Sequence, residues 1–255
     1  MIFNRRHVLA MAVAGTAKAF VGSSAAHATS STTIKAVAFD GFPILDPRPV
    51  LAAGKQMYPG NADAFVSLFQ TRLFEYQWLR AIGGRYKDFL SIIDDAHMFA
   101  TAQLGLEATD DKRARLRDAF MKLKAWPDAA DALHGLKAKG IKLAFLSNMT
   151  ADMLNRGLVN SGLDGILDHV LSTDTIRTYK PDPRAYQLGV DAFELPKEQI
   201  LFAAFAGWDA AGAQWFGYPT FWVDRLGAKF ERLDAPVTAT GQGLAELVGF
   251  VYEHN

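Results

Sequence analysis

Asp40, Ser147, Asn148, Lys180 and Asp209 each stand just beyond a short apolar run, or in the loop that follows one. A buried strand would hand a reactive side chain to its C-terminal end in this way. The run Ile34-Lys35-Ala36-Val37-Ala38-Phe39 ends at Asp40, which glycine and proline soon follow. A carboxylate at such a tip can serve as general base, metal ligand or nucleophile, and its neighbours decide among these. A phosphate-ester hydrolase of this layout would carry a second acid two residues on, to protonate the leaving oxygen, and would gather carboxylates around magnesium. Phe42 stands there instead. An aromatic ring transfers no proton, but it can wall an apolar pocket for a displacement at carbon. Taken alone, Asp40 is equally a turn or cap aspartate.

Ser147-Asn148 follows Leu143-Ala144-Phe145-Leu146 and precedes a helical pattern, so a hydroxyl, an amide and backbone N–H groups meet where an anion could sit. Either residue could instead simply cap the helix. Lys180 lies in Tyr179-Lys180-Pro181-Asp182-Pro183, where two prolines stiffen the loop and aim the ammonium. Arg80 closes Glu75-Tyr76-Gln77-Trp78-Leu79-Arg80, where a cation amid aromatics could meet a halide or carboxylate or extend into solvent.

The elements that must position these groups follow an alternating pattern. Prolines 43, 47 and 49 break the chain, and apolar residues then recur at helical spacing from about 62 to 124, as in Phe65, Leu68, Phe69, Leu73 and Tyr76. Beyond Trp126-Pro127, helices are expected at 128–139, 151–160, 183–193 and 209–216, and strands at 141–146, 169–172, 200–205 and 220–223. This predicts an α/β fold: a Rossmann-like parallel sheet with helices on both faces, formed by 29–45 and 127–255, and a helical cap inserted at 46–126. Ligands of such sheets bind at the C-terminal strand ends.

In their order along the chain, Glu-Tyr-Gln-Trp-Leu-Arg at 75–80, Leu-Ser-Asn at 146–148, Tyr-Lys-Pro-Asp-Pro-Arg-Ala-Tyr at 179–186 and Gly-Trp-Asp at 207–209 resemble the type II (L-2-haloacid) dehalogenases of the haloacid dehalogenase superfamily. The resemblance implies that Asp40 attacks C2 of an (S)-2-haloalkanoate and expels halide with inversion. Water then cleaves the aspartyl ester to release the (R)-2-hydroxy acid. It implies further that Arg80 and Asn148 receive the halide, that Ser147 with nearby amides binds the carboxylate, and that Lys180 holds Asp40 ionised and aimed. Tyr186 and Asp209 would support the lysine and the hydrolytic water, and Phe42 and Trp208 would be apolar walls. No cofactor and no metal are implied, and because members are commonly dimers a homodimer is the implied assembly. The chain departs from the family at Pro43-Ile44, where Gly-Thr is usual, and at Ala204 and Ala206, where Ser and Asn are usual. Two other readings therefore stand beside dehalogenation: a slow or non-catalytic family member that binds small organic acids, and a phosphatase.

Lysine plus arginine and aspartate plus glutamate number 27 each, so no net field draws the chain to nucleic acid or an anionic membrane, and a small molecule is the expected partner. The absence of cysteine excludes disulfides, thiolate metal sites and cysteine nucleophiles. Residues 1–28 read as a twin-arginine export signal: Arg5-Arg6, a short apolar run, and Ala26-His27-Ala28 as the cleavage pattern. The mature chain would start near Thr29 in the periplasm and keep no membrane segment. Export predicts that Arg5→Lys with Arg6→Lys traps uncleaved precursor in the cytoplasm. Fractionation that finds the variant processed like the parent would remove the signal.

Overall fold

The computed structural model describes residues 33–255, which belong to one compact unit. The export segment expected at 1–28 lies outside the described residues. Six parallel strands form one sheet in the order β3-β2-β1-β4-β5-β6. They are β1 (Ala36–Phe39), β2 (Lys142–Ser147), β3 (His169–Ser172), β4 (Ile200–Ala204), β5 (Thr220–Val223) and β6 (Ala239–Gly241). All four residues of β1 are buried, as a central strand covered on both faces requires. Phe39 lies in register with Phe145 on one side and Ala203 on the other. The order of connection reverses at β1, so the crevice where ligands of such sheets bind opens beyond Asp40.

Val37 and Phe39 face a core shared with α6 (Ala129–Ala138), α7 (Ala151–Val159) and α10 (Leu244–Glu253). Ala36 and Ala38 face α8 (Pro183–Phe193) and α9 (Gly207–Phe216). The first of these cores continues without a break into the helices between β1 and α6, namely α2 (Arg48–Met57), α3 (Ala62–Ile82), α4 (Phe89–Gln103) and α5 (Asp110–Met121). Phe65, Phe69, Phe89 and Phe120 carry it. The chain leaves and re-enters the sheet layer side by side, with Leu45 bridged antiparallel to Ala125.

Side chains set several of the helix starts. Asp88 accepts from the amide of Ser91 at 2.9 Å, Thr150 from that of Met153 at 3.3 Å and Asp182 from that of Arg184 at 2.9 Å. The expected elements beyond residue 127 are present with ends shifted by at most two residues. The exception to the sequence reading lies at residues 43–61. The prolines there predict a break, yet α2 forms, because Pro49 occupies its first turn, where a missing N–H costs no hydrogen bond. The four-residue α1 (Gly41–Ile44), β6 and α10 are also additions to the expected set.

Behind the sheet, α8 and α9 approach closely through Gly212. A Cβ there would lie 2.4 Å from Oη of the fully buried Tyr186 and 2.7 Å from Cβ of the half-buried Pro181. Gly212→Ala should therefore cost about 1–3 kcal/mol through overpacking, lowering Tm by roughly 2–4 °C per kcal/mol. An unchanged melting curve would show that Tyr186 can yield.

Candidate active site

Asp40, Lys180 and Asp209 converge although 140 residues separate the first two. Lys180 Nζ donates to Asp40 Oδ1 at 2.8 Å, to Asp209 Oδ2 at 2.6 Å and to the carbonyl of Leu146 at 3.1 Å, so each of its protons has an acceptor. It also sits 5.0 Å from the centroid of the Phe202 ring. Burial by itself would lower the Lys180 pKa, but Asp209 and Asp40 outweigh that cost and leave it above its ordinary value. Burial pushes Asp209 up to about 6 against the pull of Lys180, with the Asp40 charge adding to the rise. Tyr186 donates to Asp209 Oδ1 at 2.8 Å, and burial first, then Asp209, hold its hydroxyl protonated well past its ordinary range.

The two oxygens of Asp40 are held differently. Oδ1 accepts from Lys180 and, at 3.4 Å, from Ser147 Oγ, whereas Oδ2 accepts a single long bond of 3.3 Å from the amide of Phe42. Oδ2 is thus the freer lone-pair donor. Gly41 permits this closeness, since a Cβ on it would lie 2.1 Å from Met149 Cε and 3.1 Å from Ser147 Oγ. A cavity of about 120 Å³ opens here, walled by Phe42, Phe69, Phe74, Phe205 and Trp208, with Asp40, Ser147, Asn148 and Asp209 at its polar end. Trp208 is pinned by α3, its ring centroid 5.6 Å from Phe74 and 5.3 Å from Trp78. Lys180 Nζ lies between the two carboxylates, and among the described residues no three His, Asp or Glu side chains converge on a metal position.

Eight of the nine residues singled out from the sequence meet around this cavity or the lysine behind it; Arg80 does not. Arg80 Nη2 is bound to Asp95 Oδ2 at 2.6 Å. Six residues along α3 separate it from Phe74, the last residue of that helix to line the cavity, about 9 Å at 1.5 Å per residue, and its ion pair draws it to α4. Asn148 lines the cavity, but its Nδ2 donates to Gln77 Oε1 at 2.8 Å and its Oδ1 accepts from the Lys180 amide at 2.9 Å. It ties α3 and the lysine loop to β2. Gln70 and the fully buried Gln77 escaped the sequence reading; the signal for them was their spacing with Leu73 and Phe74 on one face of α3. At the departures, Ile44 is buried in the apolar core and Ala204 in the layer under α9. Ala206 lines the cavity and starts α9 without a side-chain cap.

A family model for haloacid dehalogenase-like hydrolases matches residues 7–217. An (S)-2-haloacid dehalogenase of Pseudomonas putida is 36% identical over 215 residues, 84% of this chain and 95% of the relative. Haloacetate dehalogenase H-2 of a Moraxella species is 36% identical over 201 residues, 78% of this chain and 90% of its own. Among solved structures, an L-2-haloacid dehalogenase of 38% identity superposes with a TM-score of 0.84 over 87% of this chain and all of its own. Another, from Xanthobacter autotrophicus with chloropropionic acid covalently bound, gives 0.79 at 30% identity over 86% of this chain and 99% of its own. A parallel sheet with a lysine-held aspartate at its switch point, together with these matches over most of its length, shows that the chain belongs to the haloacid dehalogenase-like hydrolases.

Proposed function

We propose that this chain hydrolyses (S)-2-haloalkanoic acids to (R)-2-hydroxy acids, with Asp40 as the nucleophile. The observation that carries this reading is the asymmetric hold on Asp40: Lys180 and Ser147 fix Oδ1, while Oδ2 is left to a single long amide bond beside an apolar cavity. In the first half-reaction an Oδ2 lone pair forms a bond to C2 as the carbon–halogen bond breaks, which inverts C2. In the second, water adds to the aspartyl carbonyl and the ester opens, restoring Asp40 and releasing a proton. Asp209 is the acceptor nearest the lysine for orienting that water. Phe42 and Trp208 exclude bulk water, which strengthens the electrostatics of the displacement. The relatives that act on (S)-2-haloacids and haloacetate support the substrate class. The reading includes export to the periplasm, and a homodimer for which Leu79 and Ile82, 64% and 89% exposed near the end of α3, offer an apolar patch.

The direct test is halide release from both enantiomers of 2-chloropropionate. Release should favour the S enantiomer, persist after exhaustive chelation, and vanish in Asp40→Asn, whose neutral amide is a poor nucleophile. Activity lost to chelator and restored by magnesium would favour a phosphatase, and full activity in Asp40→Asn would remove that residue from the chemistry.

The two half-reactions should also separate in time. Displacement needs Asp40 and an enclosed cavity, whereas ester cleavage needs an oriented water, and Ala206 faces the cavity where the family carries an amide. Loss of such a group typically slows a step ~100-fold or more. Rapid mixing should give a halide burst near one equivalent per site followed by a slow phase, with an intact-mass adduct on the peptide containing Asp40. Ala206→Asn should speed the slow phase more than the burst. Linear fast turnover without adduct would show that another group positions the water.

A further inference from the structure

The turn that follows the nucleophile is held from outside itself. α1 spans four residues, too few to stand as a helix unaided. Pro43 has no N–H and Ile44 no polar side-chain group with which to brace it. Its last three carbonyls need partners, and two residues from elsewhere in the chain meet all three. Trp126 Nε1 donates to the Phe42 carbonyl at 2.9 Å, and the Trp126 amide donates to that of Ile44 at 2.9 Å. Arg225 Nε and Nη2 both donate to the Pro43 carbonyl, at 3.0 and 2.7 Å.

Each of these holding groups is itself fixed. The Arg225 side chain is nearly buried, and its Nη1 and Nη2 donate to Asp128 Oδ2 and Oδ1 at 3.1 and 2.9 Å, which sets the orientation of the guanidinium fork. Asp128 Oδ2 also accepts from the Leu244 amide at 2.8 Å, at the start of α10. The guanidinium carbons of Arg225 and Arg48 lie 4.7 and 4.4 Å from the centroid of the Trp126 ring, which holds the plane along which Nε1 points. At the other end of the same turn, the Phe42 amide is the donor to Asp40 Oδ2. Trp126, Arg225 and Asp128 do not line the cavity, so they reach the chemistry only through the turn.

We propose that Trp126 and Arg225 are positioning residues of the displacement step. By holding the Phe42 and Pro43 carbonyls they fix the Phe42 amide, and with it the direction of the Asp40 Oδ2 lone pair that bonds to C2 as the halide leaves with the bonding pair. This rests on Asp40 being the nucleophile. A misplacement of ~1 Å in a reacting group costs about 10²-fold in rate. With either carbonyl freed, the turn loses one of the two side-chain holds that prevent such a shift. Substrate binding, which involves neither residue, should be unaffected.

Two variants release the holds with little change of shape. Trp126→Phe deletes the Nε1–H and keeps a ring beside both arginines, whereas Arg225→Lys keeps a cation for Asp128 and loses the fork. Halide release from (S)-2-chloropropanoate is followed by rapid mixing over a range of concentrations. Val251→Ala, which opens a cavity in the core under α10, is the control for lost stability alone. Each of the two variants should lower the limiting rate of first-turnover halide release at least tenfold, with the half-saturating concentration unchanged within about threefold. Val251→Ala should lower Tm and keep that rate within about twofold. A normal first-turnover rate in either variant overturns the proposal and leaves the dehalogenase reading standing. So does a loss carried by the half-saturating concentration, or an equal loss of rate in Val251→Ala. No halide from the unaltered chain overturns the dehalogenase reading, and this inference with it.

Discussion

The buried ammonium of Lys180 is the constraint on which the rest of the molecule depends. A lysine with no exposed surface is expensive unless its protons are matched, and here two carboxylates and a backbone carbonyl match them. Breaking such a buried pair by removing one partner typically costs about 3–5 kcal/mol. The four groups come from the end of β1, the end of β2, the loop before α8 and the first turn of α9. Only neighbouring strands of a parallel sheet that end at the same level can bring these segments together, so β4-β1-β2 adjacency and the lysine cluster imply each other. Tyr186 completes the arrangement from α8 by occupying the other Asp209 oxygen, which leaves Asp40 Oδ2 as the loosely held oxygen of the cluster.

The helices between β1 and α6 then make this cluster a reaction chamber. α3 presents Phe69, Gln70, Leu73 and Phe74 to the cavity, and one turn further on Gln77 reaches Asn148. The same amide of Asn148 receives the backbone N–H of Lys180, so the wall helix, the strand and the lysine loop are held by one buried side chain. The aromatic contacts of Trp208 with Phe74 and Trp78 hold the opposite rim. Water exclusion and lysine alignment therefore share parts, and a loosened α3 would weaken both.

Much of this was legible from residue order. The strands and helices beyond residue 127 follow from apolar runs and their punctuation, and Asp40, Ser147, Lys180 and Asp209 could be placed at strand ends without coordinates. The prolines of residues 43–49 misled, because a proline that breaks a helix interior also begins a helix well, and only its position in the turn distinguishes the two. Arg80 misled for a related reason: the spacing of side chains along a helix shows which can share a face, but not how far along the axis the cavity lies. The commitment of Asn148 to Gln77 depends on a contact between residues 71 positions apart, and no local pattern encodes it. The burial of Ile44 and Ala204, where the family carries polar groups, reads in sequence only as a departure. Coordinates add that apolar packing has taken over both positions while Ala206 alone still faces the cavity.

The sign of the charge at the sheet's switch point also bears on the kind of bond the site can cut. Two carboxylates and one ammonium leave a net single negative charge, and the ammonium lies behind the carboxylates and not between them and the cavity. A phosphate monoester would bring up to two more negative charges, and at 4 Å each pair of like charges costs about 4 kcal/mol at an effective dielectric of 20. Phe42 moreover supplies no proton for the leaving oxygen of such an ester. Displacement of halide from carbon asks for less: the nucleophile's charge passes to a leaving group that needs no proton, and aromatic walls keep the carboxylate poorly solvated and reactive. Phenylalanine at the position where a phosphate-ester hydrolase would carry an acid thus fits displacement at carbon and not at phosphorus.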